Sequence, residues 1–264
     1  MRVAILIPAR HASTRYPGKP LVELRGPDGA KSLIRRAWEA ARQAAARLPD
    51  DEVTVAVATD HDGIAEHARG FGAAVAMTSP DAANGTERCA EAAAAMDVDL
   101  VVNLQGDAPL TPPGFVTALV DAMRDGEADV ATPVLRCDAT TYRHFREDRA
   151  AGRVGGTTAV FGADYRALYF SKEVVPYLSD AAIAADGWRD VFHHVGLYAY
   201  TPAALAAYAA LPPGALEAHE GLEQLRFLEH GRTIRCVEVD GAGRVFWELN
   251  NPADVARIEE VLNR

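Results

Sequence analysis

Five short, nearly continuous apolar runs, at residues 3–7, 53–58, 73–77, 100–104 and 130–134, constrain the fold of this chain more than any other feature. Alternation of apolar and polar residues marks strands with one wet face, whereas nearly continuous runs of this length fit strands covered on both faces. Alanine-rich segments with helical spacing separate most of them, at residues 33–47, 63–69, 88–96 and 115–124. Strands alternating with helices need crossover connections, which are right-handed, so the expected product is an α/β fold: a mostly parallel sheet flanked by helices.

The second half changes character. Residues 157–161, 166–170, 193–200 and 233–239 read as further strands, with one strong helix over 218–230 and a closing helix over 252–262. Pro252 suits a first helical turn, with Asn251 as its cap. Neither a Gly/Ser-rich linker nor an internal repeat interrupts the chain. A single domain over residues 1–264 is therefore expected, with a β-rich part at about 135–215.

With 264 residues, 49% of them hydrophobic, the chain can bury a full core. Its formal net charge of -10 excludes general affinity for nucleic acid or anionic membrane, which need an excess of Lys and Arg. Cys89, Cys137 and Cys236 are too far apart in sequence for a metal motif and are read as buried, reduced residues. The first apolar run is too short for a signal peptide or a spanning helix, so a cytoplasmic protein is expected.

Against this acidity, one basic cluster stands out. The first strand runs directly into Pro8-Ala-Arg-His-Ala-Ser-Thr-Arg-Tyr-Pro-Gly-Lys-Pro20, where Arg10, Arg15 and Lys19 stand among small residues that let backbone amides approach a ligand. A solvated basic loop would have the same composition. Its position beyond the carboxyl end of a parallel strand favours a polyanion site, and a triphosphate is the expected ligand of residues 8–19. The loop matches neither the Walker A pattern nor G-x-G-x-x-G, which removes the best support for a kinase or a dehydrogenase.

This opening resembles the signature of the CMP-Kdo synthetases, the 3-deoxy-manno-octulosonate cytidylyltransferases. Further resemblances follow in order along nearly the whole chain: Ala58-Thr-Asp60, Asn84-Gly-Thr-Glu-Arg88, Asn103-Leu-Gln-Gly-Asp107, Ala167-Leu-Tyr-Phe-Ser171, His194-Val-Gly-Leu-Tyr198 and Leu222-Glu-Gln-Leu-Arg226. The resemblance implies a Rossmann-like fold of the nucleotide-diphospho-sugar transferase type, a homodimer formed through the β-rich part, CTP as donor, Mg2+ as cofactor and pyrophosphate as product. It also implies site residues. Ala9, Arg10, Ser13, Arg15 and Lys19 would hold the triphosphate, and Ala58, Thr59, Asp60, Gly85, Thr86, Arg88 and Gln105 the nucleoside. Lys19, Arg10 and Asp107 would carry catalysis, with Asp107 a metal ligand. Gln105, His194, Tyr198, Glu223 and Gln224 would meet a small acidic acceptor, the last two from the helix over 218–230. Glu223 could instead pair with Arg226 three residues on.

The chain departs from the family pattern where chemistry is expected. Ala108 follows Asp107 where the family has Glu, and Asn250 stands in the place of a second metal-binding Asp. An amide oxygen can coordinate Mg2+ without adding charge, and Glu248 is a candidate to compensate. Thr158, Lys172 and His193 replace Lys, Arg and Arg. These changes suggest either the family's usual acceptor or a different acid, such as the phosphonate phosphonoformate. A nucleotide-binding protein without activity is disfavoured by the retained Arg10, Arg15, Lys19, Gln105 and Asp107, and a related sugar-1-phosphate or sialic acid nucleotidyltransferase would be told apart by nucleotide preference, since CTP over UTP and GTP is expected of this family.

Overall fold

A computed structural model describes residues 1–11, 16–154, 156–241, 249 and 251–263. Its contacts divide the chain into two compact units: Met1–Val120 with Ala199–Ala209 and Gly241–Arg264, and Asp121–Tyr198 with Ala210–Asp240.

The first unit begins with β1 (Arg2–Ala9), followed by a hairpin of β2 (Glu23–Gly26) and β3 (Gly29–Ser32) and by α1 (Leu33–Ala45). Ser32 starts α1, its hydroxyl accepting from the Arg35 amide. Next come β4 (Glu52–Thr59), α2 (Asp62–Gly70), β5 (Ala74–Met77), α3 (Gly85–Ala93), β6 (Leu100–Leu104) and α4 (Pro113–Ala122), whose last two residues pass into the second unit. The strand order is β5-β4-β1-β6, all parallel, as the nearly continuous apolar runs predict. Every residue of β6 and all but the first of β1 are buried. The chain winds outward from β1 through β4 to β5, then returns to place β6 on the other side of β1. The crevice beyond the carboxyl ends of β1 and β6 is thus a topological switch point, where open α/β sheets bind ligands.

The second unit contains β7 (Val130–Arg136), α5 (Ala139–Ala150), β8 (Thr157–Phe161), β9 (Ala167–Ser171), α6 (Asp180–Ala184) and β10 (Phe192–His194). β11 (Leu197–Tyr200) carries the chain back to the first unit, where α7 (Pro202–Ala210) lies except for its last residue. α8 (Ala215–Glu220), α9 (Leu225–Glu229) and β12 (Ile234–Glu238) complete the second unit, and α10 (Asp254–Leu262) closes the first. Here β10 pairs antiparallel with β7 and β8, and β8 with β9, while β12 runs parallel to β7.

Three expectations need correction. The helix over 218–230 is two helices, α8 and α9, because Gly221 ends α8 with a left-handed φ of 60°. The stretch at 135–215 is less β-rich than expected, since it contains α5, capped by the Asp138 side chain, together with α6 and α7. The closing helix starts at Asp254 rather than Pro252. There the cap is reversed, with the Asn251 amide donating to the Asp254 carboxylate at 2.7 Å. All three cysteines are buried and outside any disulfide, and burial pushes the Cys137 and Cys236 thiols up to about 12.

Candidate active site

At the switch point the structure joins two of the residues singled out for catalysis. Lys19 heads a short turn, Lys19–Leu21, behind Gly18, whose φ of 68° glycine adopts without steric cost. Its ammonium donates to the Asp107 carboxylate at 2.7 Å, both side chains being mostly buried. Asp107 is fixed from two sides. A Cβ on Gly106 would lie 2.6 Å from the Pro8 carbonyl oxygen, so only glycine lets β6 end this close to the end of β1. The Asp107 carbonyl in turn accepts from the Leu249 amide at 2.8 Å, and Leu249 packs in a core cluster with Leu24, Leu33 and Ile258. Ala9 is buried at the end of β1 and Arg10 is exposed beyond it. Ser13, Arg15, Glu248 and Asn250 lie outside the described residues.

Across the same crevice, Ala58 and Thr59 are buried at the end of β4, and Asp60 follows them. Arg88, 2% exposed, turns its guanidinium inward: it pairs with Asp60 at 3.1 Å and donates to the Thr78 hydroxyl and the Ser79 carbonyl. The other Asp60 oxygen is buried with no partner among the described residues. Arg88 therefore braces the carboxylate from below. α3 enters the crevice by its N-terminus, where the Asn84 side chain accepts from the Glu87 amide at 2.8 Å and Glu87 reaches back to the Ala83 amide at 2.9 Å. Gly85 lets this turn pack on Gln105, since a Cβ there would come within 3.0 Å of its amide.

Sequence reasoning missed the supports of this turn. Tyr200 binds the Thr86 hydroxyl and Tyr208 accepts from the Asn84 amide, both at 3.0 Å. No local pattern links residues 114 and 124 positions apart. His61 was also missed, although its place just before α2 is a capping position: its Nδ1 accepts from the Gly63 amide at 3.1 Å.

The residues singled out for an acceptor, Gln105 apart, lie in the second unit. The Thr132 hydroxyl donates to the Leu197 carbonyl at 2.9 Å, so the His194 ring, 2.9 Å away, gives its Nε2 proton to that hydroxyl. Burial and the neighbouring His193 push His194 down to about 3, which keeps it neutral. Tyr198, buried in β11, donates to Gln224 Oε1 at 3.1 Å, and Gln224 Nε2 is buried with no partner among the described residues. Glu223 and Gln224 sit in the turn before α9, not within a helix. Arg226 forms a two-pronged pair with Glu217 at 2.7 Å. Of the substituted positions, Thr158 is buried and holds the Glu173 carbonyl at 2.7 Å, and His193 packs its edge on Phe145. Lys172 has its amide tied to Glu220 at 2.9 Å, with its ammonium beside Gly221.

Among the described residues no three His, Cys, Asp or Glu side chains gather into a metal cage. A hard cation that bridges phosphates needs only one or two carboxylates, and Asp107 offers one.

A family model described as cytidylyltransferase matches residues 4–234. The chain is 39% identical to the 3-deoxy-manno-octulosonate cytidylyltransferase of Maricaulis maris (strain MCS10), over 99% of this chain and 97% of that one. It is 37% identical to the 8-amino-3,8-dideoxy-manno-octulosonate cytidylyltransferase of Shewanella sp. (strain ANA-3), over 99% of each. The solved structure of CMP:2-keto-3-deoxy-manno-octonic acid synthetase complexed with CTP is similar, with a TM-score of 0.83 and 32% identity over 99% of this chain and 98% of that one.

Proposed function

The chain belongs to the cytidylyltransferase family, and from that premise we propose that it transfers CMP from CTP to a 3-deoxy-manno-octulosonate-type sugar acid, releasing pyrophosphate. The observation that carries this reading is the Lys19–Asp107 pair at the switch point, a cation for phosphate oxygens beside a carboxylate for a hard metal ion.

In this reaction an acceptor hydroxyl oxygen bonds to the α-phosphorus of CTP, the bond from that phosphorus to the bridging oxygen breaks, pyrophosphate leaves with its electron pair, and the hydroxyl proton passes to solvent. Charge builds on the leaving group, and fixed cations that meet it stabilise the transition state. Arg10 and Lys19 supply such charge from one loop. Mg2+ fits the donor set, with Asp107 as its protein ligand, and would neutralise further phosphate charge when bound. Asp60, braced by Arg88, and the α3 N-terminus would line the nucleoside site. Gln224 Nε2, without a partner among the described residues, would donate to an acceptor oxygen.

A homodimeric, cytoplasmic enzyme completes the reading, and among the described residues no helix is long and apolar enough to cross a membrane. Pyrophosphate release from CTP, with Mg2+ and a panel of 3-deoxy-manno-octulosonate, its 8-amino analogue and phosphonoformate, tests it. Turnover with a sugar acid is expected, and CTP should be preferred over UTP. Binding of CTP without release for any acceptor would sink the proposal.

A further inference from the structure

His61 enters the site so far only as a cap and His11 not at all, yet their rings are stacked, with centroids 4.1 Å apart and planes 10° from parallel. His11 directly follows Arg10 in the loop after β1, and His61 directly follows Asp60 in the turn after β4. The contact therefore ties a loop of cations to its neighbouring turn.

That turn is held at three successive residues. Thr59 Oγ1 accepts from the His61 amide at 3.3 Å, Asp60 pairs with Arg88 at 3.1 Å, and His61 Nδ1 accepts from the Gly63 amide at 3.1 Å. His61 thus presents a fixed ring. On the other side, the His11 carbonyl accepts from the Gly18 amide at 3.3 Å, one residue before Lys19. Fixing His11 consequently fixes both the chain leaving Arg10 and the chain entering Lys19.

The cap alone does not account for an imidazole at position 61, because Asn, Asp or Ser caps a helix better. A metal site does not account for it either, since one nitrogen of His61 is committed to Gly63 and no third ligand gathers among the described residues. We propose that His61 is a positioning residue, a ring on which His11 stacks so that Arg10 and Lys19 keep the geometry that binds a nucleoside triphosphate. This rests on the reading of residues 8–19 as the triphosphate loop.

Two substitutions separate the ring from the cap. His61→Asn keeps a capping side chain and removes the ring, while His61→Phe keeps a ring and removes the cap. The readouts are the Kd for CTP, by calorimetry on the full chain with Mg2+, and the Tm. An aromatic pair at this distance corresponds to a change in Kd of about 2- to 12-fold. His61→Asn should weaken CTP by up to that factor while lowering Tm by no more than a few degrees, since the stack is already formed without ligand, and His61→Phe should bind CTP within about twofold of wild type although it too loses stability with the cap. His11→Ala should weaken CTP, and His11→Phe should restore it. Wild-type affinity in His61→Asn, or affinity that follows Tm across the set, overturns the proposal. If the wild-type chain itself binds no CTP, the triphosphate reading fails first and this inference falls with it.

Discussion

Replacing Gly106 with alanine tests whether the switch point is built by close backbone approach. The added Cβ would sit 2.6 Å from the Pro8 carbonyl oxygen, with Ile7 and Ile34 at 3.5 and 3.6 Å behind it. Ordinary contact begins at 3.4 Å, so the ends of β1 and β6 must separate by about 0.8 Å, and the atom in the way is backbone and cannot rotate aside. Overpacking of this kind costs about 1–3 kcal/mol, or about 2–10 °C in Tm for a chain of this size. The functional cost should be larger. The displacement falls between Pro8, which leads to Arg10, and Asp107, and a misplacement near 1 Å costs about 100-fold in rate. Gly106→Ala should therefore lower kcat/KM for CTP by about 100-fold in a pyrophosphate-release assay, while the protein remains folded at 25 °C. Wild-type kinetics together with wild-type Tm would refute the reasoning.

Other outcomes follow from the same geometry. Asp107→Asn should lower kcat by about 100-fold or more and raise the Mg2+ concentration needed for half-maximal turnover, and near-normal turnover would remove Asp107 from the metal site. Arg88→Met should destabilise the chain by about 3 kcal/mol in urea unfolding, because it leaves the Asp60 carboxylate buried without its cation. His194 is held neutral in the fold, down to about pH 3, but takes up a proton near 6.5 when unfolded. The unfolded state binds more protons between those values, so the stability contributed by neutral His194 is complete above about pH 6.5 and falls on acidification, by roughly 1 kcal/mol per pH unit. His194→Gln should flatten that slope in urea midpoints measured from pH 7 to pH 5.

How far these features can be read from sequence depends on the range of the interaction that makes them. β1, β4 and β6 are legible because burial on both faces leaves continuous apolar runs, and the basic segment after β1 because its cations and glycine are adjacent in the chain. α3 begins three residues earlier than its apolar spacing suggests, because the reciprocal caps of Asn84 and Glu87 extend it. α5 escaped notice because its buried face consists only of Tyr142 and Phe145 in a mostly polar segment. Gly221, read as an interior helix residue, instead ends α8. Tyr200 and Tyr208 illustrate the hardest case, since a tyrosine in an apolar segment looks like packing until the fold brings a polar partner to its hydroxyl.

The same contrast separates the two substrates. Charge and close backbone approach, concentrated after β1 and β6, suit a triphosphate that differs little among nucleotides. The second unit instead offers neutral, buried groups whose hydrogen bonds are already assigned: Thr132 with His194, and Tyr198 with Gln224. A buried donor left unmatched costs about 1–3 kcal/mol, so on the proposed reading Gln224 Nε2 would favour an acceptor that brings an oxygen to it and penalise one that does not. Discrimination of this kind depends on where a few hydroxyl and amide groups point, not on net charge. A compact polyanion and a hydroxyl-rich sugar acid, both consistent with the basic loop, would therefore be told apart by Gln224 and its neighbours rather than by Arg10 or Lys19.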